Sequence, residues 1–477
     1  MPNASDTYDL VVIGSGPAGS SGALSASFFG KRVALIERAK AVGGAGINTG
    51  TIPSKALRES ALMLSGSRAR KLLGVNVSLK HETTIAELAY LSEHVQHALR
   101  VQTEVRLHNR HAKLVRGDGS FVDSHTIQVK DPDGSVKQLR GERILIATGS
   151  SPVRPPEFPF EHPRVHDFDE ILDIKELPKR LAVVGAGVIG AEYACTFAAL
   201  GVEVHLIDGR DSLLPFLDQD ISVAISTAMK RNGVHFHWKE RVVSCVAPPA
   251  GEVQLTLSSG VTLGFTDVLV ASGRCSNTES LNLAAAGIEP GKRGLVPVNE
   301  WFQTVVPHIY AAGDAVGPPA LAATGMEQAR VAVCHAFDLI KKTNAAVLPT
   351  GIYTIPEASM AGLTEQAVKE SGVLYVIGRA SYRDNPRGRM IGDQDGMLKL
   401  IFRKADLRLL GVHVVGEQAT ELVHIGLMAL MSDGGADLFN RVCFNYPTLG
   451  DLYKYATYDA MTQGMVANPA VSLPPTA

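Results

Sequence analysis

The chain has 477 residues, enough for about three domains at ~150 residues each. Its composition, 45% hydrophobic and 20% charged with 46 Gly and 25 Pro, excludes a disordered or collagen-like chain. A formal net charge of −2 gives no reason to expect a nucleic-acid or anionic-membrane partner.

Asp9–Ile13 reads as a buried strand, Ala18–Phe29 as a small-residue helix and Val33–Glu37 as a second strand. Ser54–Ser65 and Ile85–Leu107 read as helices. Strand-rich sequence follows from Ala112 to Ala147, with a turn at Asp131-Pro132-Asp133-Gly134. The stretch Pro152–Pro163 reads as a linker. The β-α-β order then returns as Arg180–Val184, Ile189–Leu200 and Glu203–Asp208, and the interval from Gly14 to Gly185 equals that from Glu37 to Asp208. Two copies of one supersecondary unit imply two nucleotide-binding domains. After about residue 350 the character changes to apolar strands at Met397–Phe402 and Leu409–Val415 and an amphipathic helix at Ala419–Met431. Ala467–Ala477 reads as a loosely held end. No apolar run reaches the ~18 residues of a membrane span, and the start lacks a signal-peptide core, so a soluble cytoplasmic protein is expected.

Gly14-Ser15-Gly16-Pro17-Ala18-Gly19 lies between strand and helix. Gly14 permits the tight turn, Gly16 lets the backbone approach a pyrophosphate, and Gly19 lets helix and strand pack closely. Glu37 ends the second strand, where a carboxylate reaches ribose hydroxyls. Gly185, Gly187, Gly190 and Asp208 repeat the pattern. Two such sites point to two dinucleotides, one held and one exchanged. The expected fold is therefore α/β, with two Rossmann-like dinucleotide-binding domains and a C-terminal α+β domain.

Ile144–Ser150, with Thr148 and Gly149, and Ile309–Asp314, with Gly313 and Asp314, each read as a strand ending in a small-residue turn. They resemble the ATG and GD motifs of two-dinucleotide flavoproteins, which implies that Asp314 accepts a hydrogen bond from the FAD ribityl chain. Gly43-Gly44-Ala45-Gly46-Ile47-Asn48-Thr49-Gly50-Thr51-Ile52-Pro53-Ser54-Lys55 resembles the active-site segment of the pyridine nucleotide–disulfide oxidoreductases, GGxCxxxxCxPSK. Gly46 and Thr51 stand where the two redox cysteines belong, and neither side chain forms a thiolate. Tyr446 stands where the family has the histidine of its His-Pro-Thr segment, and a phenol with an ordinary pKa near ~10 is a poor proton shuttle. Tyr446 is read as an interface aromatic or a substrate contact. Lys55 and Glu192 match the family pattern, and the resemblance implies an ion pair beside flavin N5 that favours reduced flavin. Gly44, Thr51 and Gly273 join the cofactor-site candidates.

Gly50–Arg58, Phe216–Gln219, Gly351–Glu357 and Phe444–Thr448 resemble the FAD-containing, soluble pyridine nucleotide transhydrogenases, with Gly46 a departure because that pattern keeps a cysteine there. The resemblance implies a homodimer or higher homo-oligomer and ping-pong hydride transfer between NADPH/NADP and NADH/NAD through FAD. It implies an FAD-binding domain at 1–150, an NAD(P)-binding domain at 151–274, a return to the central domain at 275–347 and a dimerisation domain at 348–477. Asp208 suits the ribose of NAD and Arg210 the 2′-phosphate of NADP, a combination fitting dual use or NAD preference. An NAD(P)H oxidase or quinone reductase on the same scaffold, or a non-catalytic nucleotide sensor, is the alternative.

Five scattered cysteines argue against a disulfide scaffold or clustered zinc site, and no metal ligands are expected. Cys195, Cys275 and Cys443 read as buried bystanders, and His413 and His424 as structural or interface histidines.

Overall fold

The computed structural model describes residues 6–64, 85–339 and 347–466. Ser65 and the tail Ala467–Ala477 lie outside the described residues.

The first unit runs β1 (Thr7–Ile13), α1 (Pro17–Phe28), β2 (Val33–Glu37), α2 (Gly44–Asn48), α3 (Thr51–Leu64), α4 (Ile85–Asn109), β3 (Lys113–Arg116), β4 (Asp118–Phe121), β5 (Thr126–Lys130) and β6 (Val136–Ile146). Strands β1 and β2 are near-continuous apolar runs because both faces of the parallel sheet are covered: α1 and α7 pack on Leu10, Val12 and Leu35, and β4 and β5 pack on Val11, Ile13 and Ile36. The sheet order is β3-β2-β1-β6-β5-β4. Strand β6 serves two pairings. Its first half runs antiparallel to β5, and its second half runs parallel to β1.

The chain leaves through β7 (Ser150–Pro152) and β8 (Val165–Asp167) into β9 (Arg180–Val184), α5 (Val188–Ala199), β10 (Glu203–Asp208), α6 (Gln219–Arg231) and β11 (Val234–Trp238). Then come β12 (Val242–Val246), β13 (Val253–Leu257), β14 (Thr262–Phe265) and β15 (Asp267–Val270). Parallel order β11-β10-β9-β15-β8 repeats the arrangement of the first unit, and β12-β13-β14 repeats its antiparallel annex. The chain returns through β16 (Arg274–Ser276), which pairs antiparallel with β7. It then adds β17 (Ile309–Ala311) parallel to β6 and α7 (Ala322–Ala336) against α1.

The last unit contains β18 (Thr350–Ile352), β19 (Ala358–Gly362), α8 (Glu365–Glu370), β20 (Tyr375–Ser381), α9 (Pro386–Met390), β21 (Met397–Arg403) and β22 (Leu409–Val415). Helices α10 (Ala419–Met431), α11 (Ala436–Arg441) and α12 (Leu452–Val466) follow. Its antiparallel sheet, β18-β19-β22-β21-β20, packs one face on α10 and α12 around Phe402, Phe439 and Tyr453. The fold is α/β with two Rossmann-like units and a C-terminal α+β unit. Helix α3 sits where the three meet: Leu57 and Ala61 share one core with Val183 and Ala191 of the second unit and Ile352 and Val415 of the third.

Differences from the sequence reading have local causes. Helix α3 begins at Thr51 rather than Ser54, because Pro53 is tolerated in a first turn whose N–H groups lack helical partners anyway. Cys275 and Cys443 are exposed, not buried; Cys195 alone of the three is buried, and burial pushes its thiol up to about 12. His413 is fully buried and bonds the Leu363 carbonyl oxygen, whereas His424 is exposed on α10. Among the described residues, no helix is long and apolar enough to cross a membrane.

Candidate functional site

Each β-α-β unit closes on a glycine turn locked by its own acid. Gly14 has φ +101°, and a Cβ there would lie 2.4 Å from the Ala147 carbonyl oxygen; at Gly19 it would lie 1.8 Å from the Gly14 oxygen. Gly185 and Gly190 repeat both constraints against Ala271 and Gly185. Helix α1 has Gly16 as its N-cap and α5 has Gly187, neither with a side-chain cap, so the first-turn N–H groups remain available to an anion.

Glu37 is buried, and its Oε2 accepts from the Ser15 amide (2.9 Å) and the Ser15 hydroxyl (2.6 Å), while Oε1 accepts from the Ala39 amide (2.7 Å). Asp208 Oδ2 accepts from the Ala186 amide at 2.6 Å, the equivalent contact. Arg210 adds a fork: Nε to Oδ1 at 2.8 Å and Nη2 to Oδ2 at 2.7 Å, with its own amide on Oδ1 at 2.8 Å. Burial alone would raise the Asp208 carboxyl, but these hydrogen bonds outweigh it and hold the group at about 2. Four donors fill the ~four lone-pair sites of a carboxylate. Beside this pair lies an open cavity of about 280 Å³ lined by Gly209, Arg210, Asp211, Ser212, Pro215 and Lys239.

The glycine loops of the first unit meet face to face. Gly44 has φ +54°, and a Cβ on it would lie 2.8 Å from Gly16 Cα. Gly46 lies on α2, where an added Cβ would come within 2.6 Å of Pro17 Cγ. Thr51 is exposed at the start of α3. Between the two thiol positions, Asn48 Nδ2 donates to the Val42 and Gly44 carbonyls at 3.0 Å each, and its Oδ1 accepts from Arg100 Nε at 2.6 Å.

Lys55 on α3 and Glu192 on α5 come together across the unit boundary, with Nζ 2.5 Å from Oε2. The Tyr353 amide donates to Glu192 Oε1 at 2.9 Å, and the Lys55 ammonium lies 5.0 Å from the centre of the Tyr353 ring. The lysine side chain is 25% exposed and the glutamate 9%, so the pair is poorly screened and fixed in place. Behind it, buried Arg58 binds the Thr354 carbonyl through Nε at 3.1 Å and Glu357 through Nη2 at 3.2 Å, tying α3 to the third unit.

The return segment forms a second cluster. Ser150 Oγ donates to Asp314 Oδ2 at 2.5 Å and accepts from Arg274 Nε at 2.7 Å, and Arg274 lies 3.6 Å from Asp314. Gly149 (φ +70°), Gly273 (φ +109°) and Gly313 (φ +74°) shape the three turns that meet here. The Gly313 amide donates to Gln328 Oε1 at 2.8 Å. Burial raises the Asp169 carboxyl despite the charge of nearby Arg274. Sequence reading missed Ser15, Asn48, Ser150, Asp169, Arg274 and Tyr353 as site-building residues. Ser15, Asn48, Ser150 and Tyr353 lie within segments whose motifs the sequence shows, whereas Asp169 and Arg274 carried no local signal. Tyr446 is 72% exposed on the third unit.

The residues suit a dinucleotide flavin. The buried Thr148 Oγ1 and Asp169 Oδ1 have no hydrogen-bond partner among the described residues, and such groups call for a polar ligand. The uncapped α1 terminus beside Gly44 has the free N–H groups and close backbone approach that a phosphate cradle requires.

Comparison with known proteins agrees with this geometry. The pyridine nucleotide-disulphide oxidoreductase profile matches residues 8–336, and the dimerisation-domain profile of the same name matches 348–457. A soluble pyridine nucleotide transhydrogenase of Mycobacterium bovis (strain BCG / Pasteur 1173P2) is 43% identical, covering 97% of this chain and 98% of the relative. One from Shigella flexneri is 38% identical, covering 97% and 100%. Among solved structures, LpdA from Mycobacterium tuberculosis superposes with a TM-score of 0.88 at 26% identity, covering 94% of this chain and 99% of that one. The HOCl-induced flavoprotein disulfide reductase RclA from Escherichia coli gives 0.84 at 27%, covering 94% and 99%. Paired glycine–acid turns and two profile matches that together run from residue 8 to 457 have one meaning: the chain belongs to the pyridine nucleotide–disulphide oxidoreductase family and is an FAD-binding oxidoreductase.

Proposed function

We propose that this flavoprotein transfers hydride between NADPH/NADP and NADH/NAD in two successive half-reactions at one nucleotide site, a ping-pong exchange without a redox disulfide. One juxtaposition carries the reading. Lys55 and Glu192 are paired beside a segment whose two thiol positions are Gly46 and Thr51. The transhydrogenase names of the relatives support the same reaction.

In this reading, residues 1–150 and 275–347 hold FAD, 151–274 take either nicotinamide carrier, and 348–477 pair two copies into a homodimer. Exposed Met428, Met431, Tyr446, Tyr455 and Tyr458 on the third unit suit that pairing. FAD, when bound, supplies the two-electron hydride acceptor and donor. The chain supplies position and fixed charge. Glu192 orients the Lys55 ammonium, which stands at the junction of the units and stabilises negative charge as it develops there. Asp208 and Arg210 serve both carriers. Rotation of the exposed Arg210 frees Asp208 to accept the ribose hydroxyls of NAD(H). It also lets the guanidinium fork pair with the 2′-phosphate of NADP(H) in the cavity that Lys239 lines.

Initial rates measured over a grid of NADPH and thio-NAD⁺ concentrations test the single-site exchange. Parallel double-reciprocal lines are expected. Intersecting lines would mean that both carriers bind together and would contradict it.

A further inference from the structure

Strands β10 and β11 of the second unit pair parallel with His205 opposite His235. Side chains alternate along a strand, so Glu203 and His205 share a face, and His235 and His237 join it from the neighbouring strand. His205 is 8% exposed, with its ring 4.8 Å from His235, 5.1 Å from His237 and edge-on to Phe265 at 5.2 Å. Strand β11 is the sheet edge, and His235 and Glu203 are exposed on it and beside it.

We propose that Glu203, His205 and His235 form a zinc(II) site, with His237 orienting His205. One ligand atom from each of the three lies within 4.8 Å of the others, and His205 Nε2 is 3.0 Å from Glu203 Oε1. Tetrahedral zinc with bonds of ~2.0–2.1 Å places its ligand atoms ~3.4 Å apart. His205 Nε2 and Glu203 Oε1, at 3.0 Å, need to part by only ~0.4 Å, and the exposed His235 needs a side-chain rotation. His205 Nδ1 lies 2.9 Å from His237 Nε2. With Nδ1 donating to His237, Nε2 presents its lone pair to the metal, the usual outer-shell arrangement for a metal-bound imidazole. Two imidazoles and a carboxylate suit zinc and leave a fourth position for water, whereas magnesium prefers an all-oxygen shell. Arg180 Nε also contacts Glu203 Oε1 at 3.1 Å, but both partners are substantially exposed, so this pair yields at little cost. The scattered cysteines gave no sign of such a site, because its ligands come from two strands whose register is set only in the folded sheet.

The test is Zn²⁺ titration of the metal-stripped holoenzyme by calorimetry, with Mg²⁺ as control and Co²⁺ absorption at wavelengths beyond the flavin as a second readout. One Zn²⁺ per chain is expected, with tetrahedral Co²⁺ bands and no Mg²⁺ heat. His237→Ala is expected to weaken Zn²⁺ binding ~10–100-fold and His235→Ala at least as much. Flavin content and NADPH-dependent bleaching should be unchanged in both, which separates loss of ligand from misfolding. Absence of stoichiometric Zn²⁺ binding, or equal binding in a Glu203→Gln/His235→Ala double variant, overturns the proposal.

Discussion

Replacing Arg210 by Gln isolates the feature that lets one site serve two carriers. The guanidinium makes two side-chain hydrogen bonds to Asp208, at 2.8 and 2.7 Å, and is 43% exposed. A charge-assisted hydrogen bond to a 2′-phosphate is worth ~1.5–3 kcal/mol, and solvent screening at this exposure reduces that to ~1–2 kcal/mol. At 1.4 kcal/mol per tenfold, NADPH binding should weaken by ~5–30-fold. NADH should hold or tighten, because the variant frees acceptor sites on Asp208 that Arg210 otherwise fills. Anaerobic binding titrations of the oxidised carriers and KM values for both reduced ones measure this directly. Equal losses for both carriers, or a loss confined to NADH, would refute the role given to Arg210.

Lys55→Met is expected to slow flavin bleaching by NADPH ~10²–10³-fold with FAD retained, the usual effect of removing a preorganised charge at a reacting centre; stopped-flow absorbance reads it. Gly46→Ala should cost ~1–3 kcal/mol in urea unfolding, since its Cβ meets Pro17 Cγ at 2.6 Å, while hydride exchange persists. Lys399 is 1% exposed and bonds Asp218, Asp220 and Glu365 at 2.7, 2.9 and 2.7 Å, so Lys399→Met should destabilise by ~3–5 kcal/mol by leaving the buried Asp218 carboxylate without its cation, while Asp220 keeps Arg379 and Glu365 keeps Lys369. Burial raises the Glu365 carboxyl, but hydrogen bonds from Lys369 and Lys399 outweigh it and lower it from 4.5 to about 2. The stability it contributes is therefore present above pH 4.5 and lost as pH falls toward 2, and the acid-unfolding midpoint of Lys399→Met should move upward.

The two nucleotide units were legible because their signals are local. A glycine at positive φ, an apolar strand and an acid at the end of the next strand occupy one short stretch, and Gly14 with Glu37 and Gly185 with Asp208 fell where expected. Helix α2 was missed because Gly44–Asn48 has no apolar period to read. Cys275 and Cys443 were misjudged because apolar or small neighbours in sequence do not report exposure in the fold. The Ser150–Arg274–Asp314 cluster and the Glu192–Tyr353 contact join residues far apart in the chain, so nothing local announces them. The sequence did carry the absence of thiols at Gly46 and Thr51, the positions that flank Asn48 and its hydrogen bonds to the Val42 and Gly44 carbonyls.

Direct hydride exchange between carriers is the central claim, and one anaerobic titration tests it. NADPH added without oxygen should bleach the flavin absorbance, and NAD⁺ added afterwards should restore it in full. If NAD⁺ leaves the flavin reduced while a quinone reoxidises it, the protein is a quinone-type reductase and the exchange mechanism is wrong. If neither NADPH nor NADH bleaches it, the chain is not a hydride-transfer enzyme.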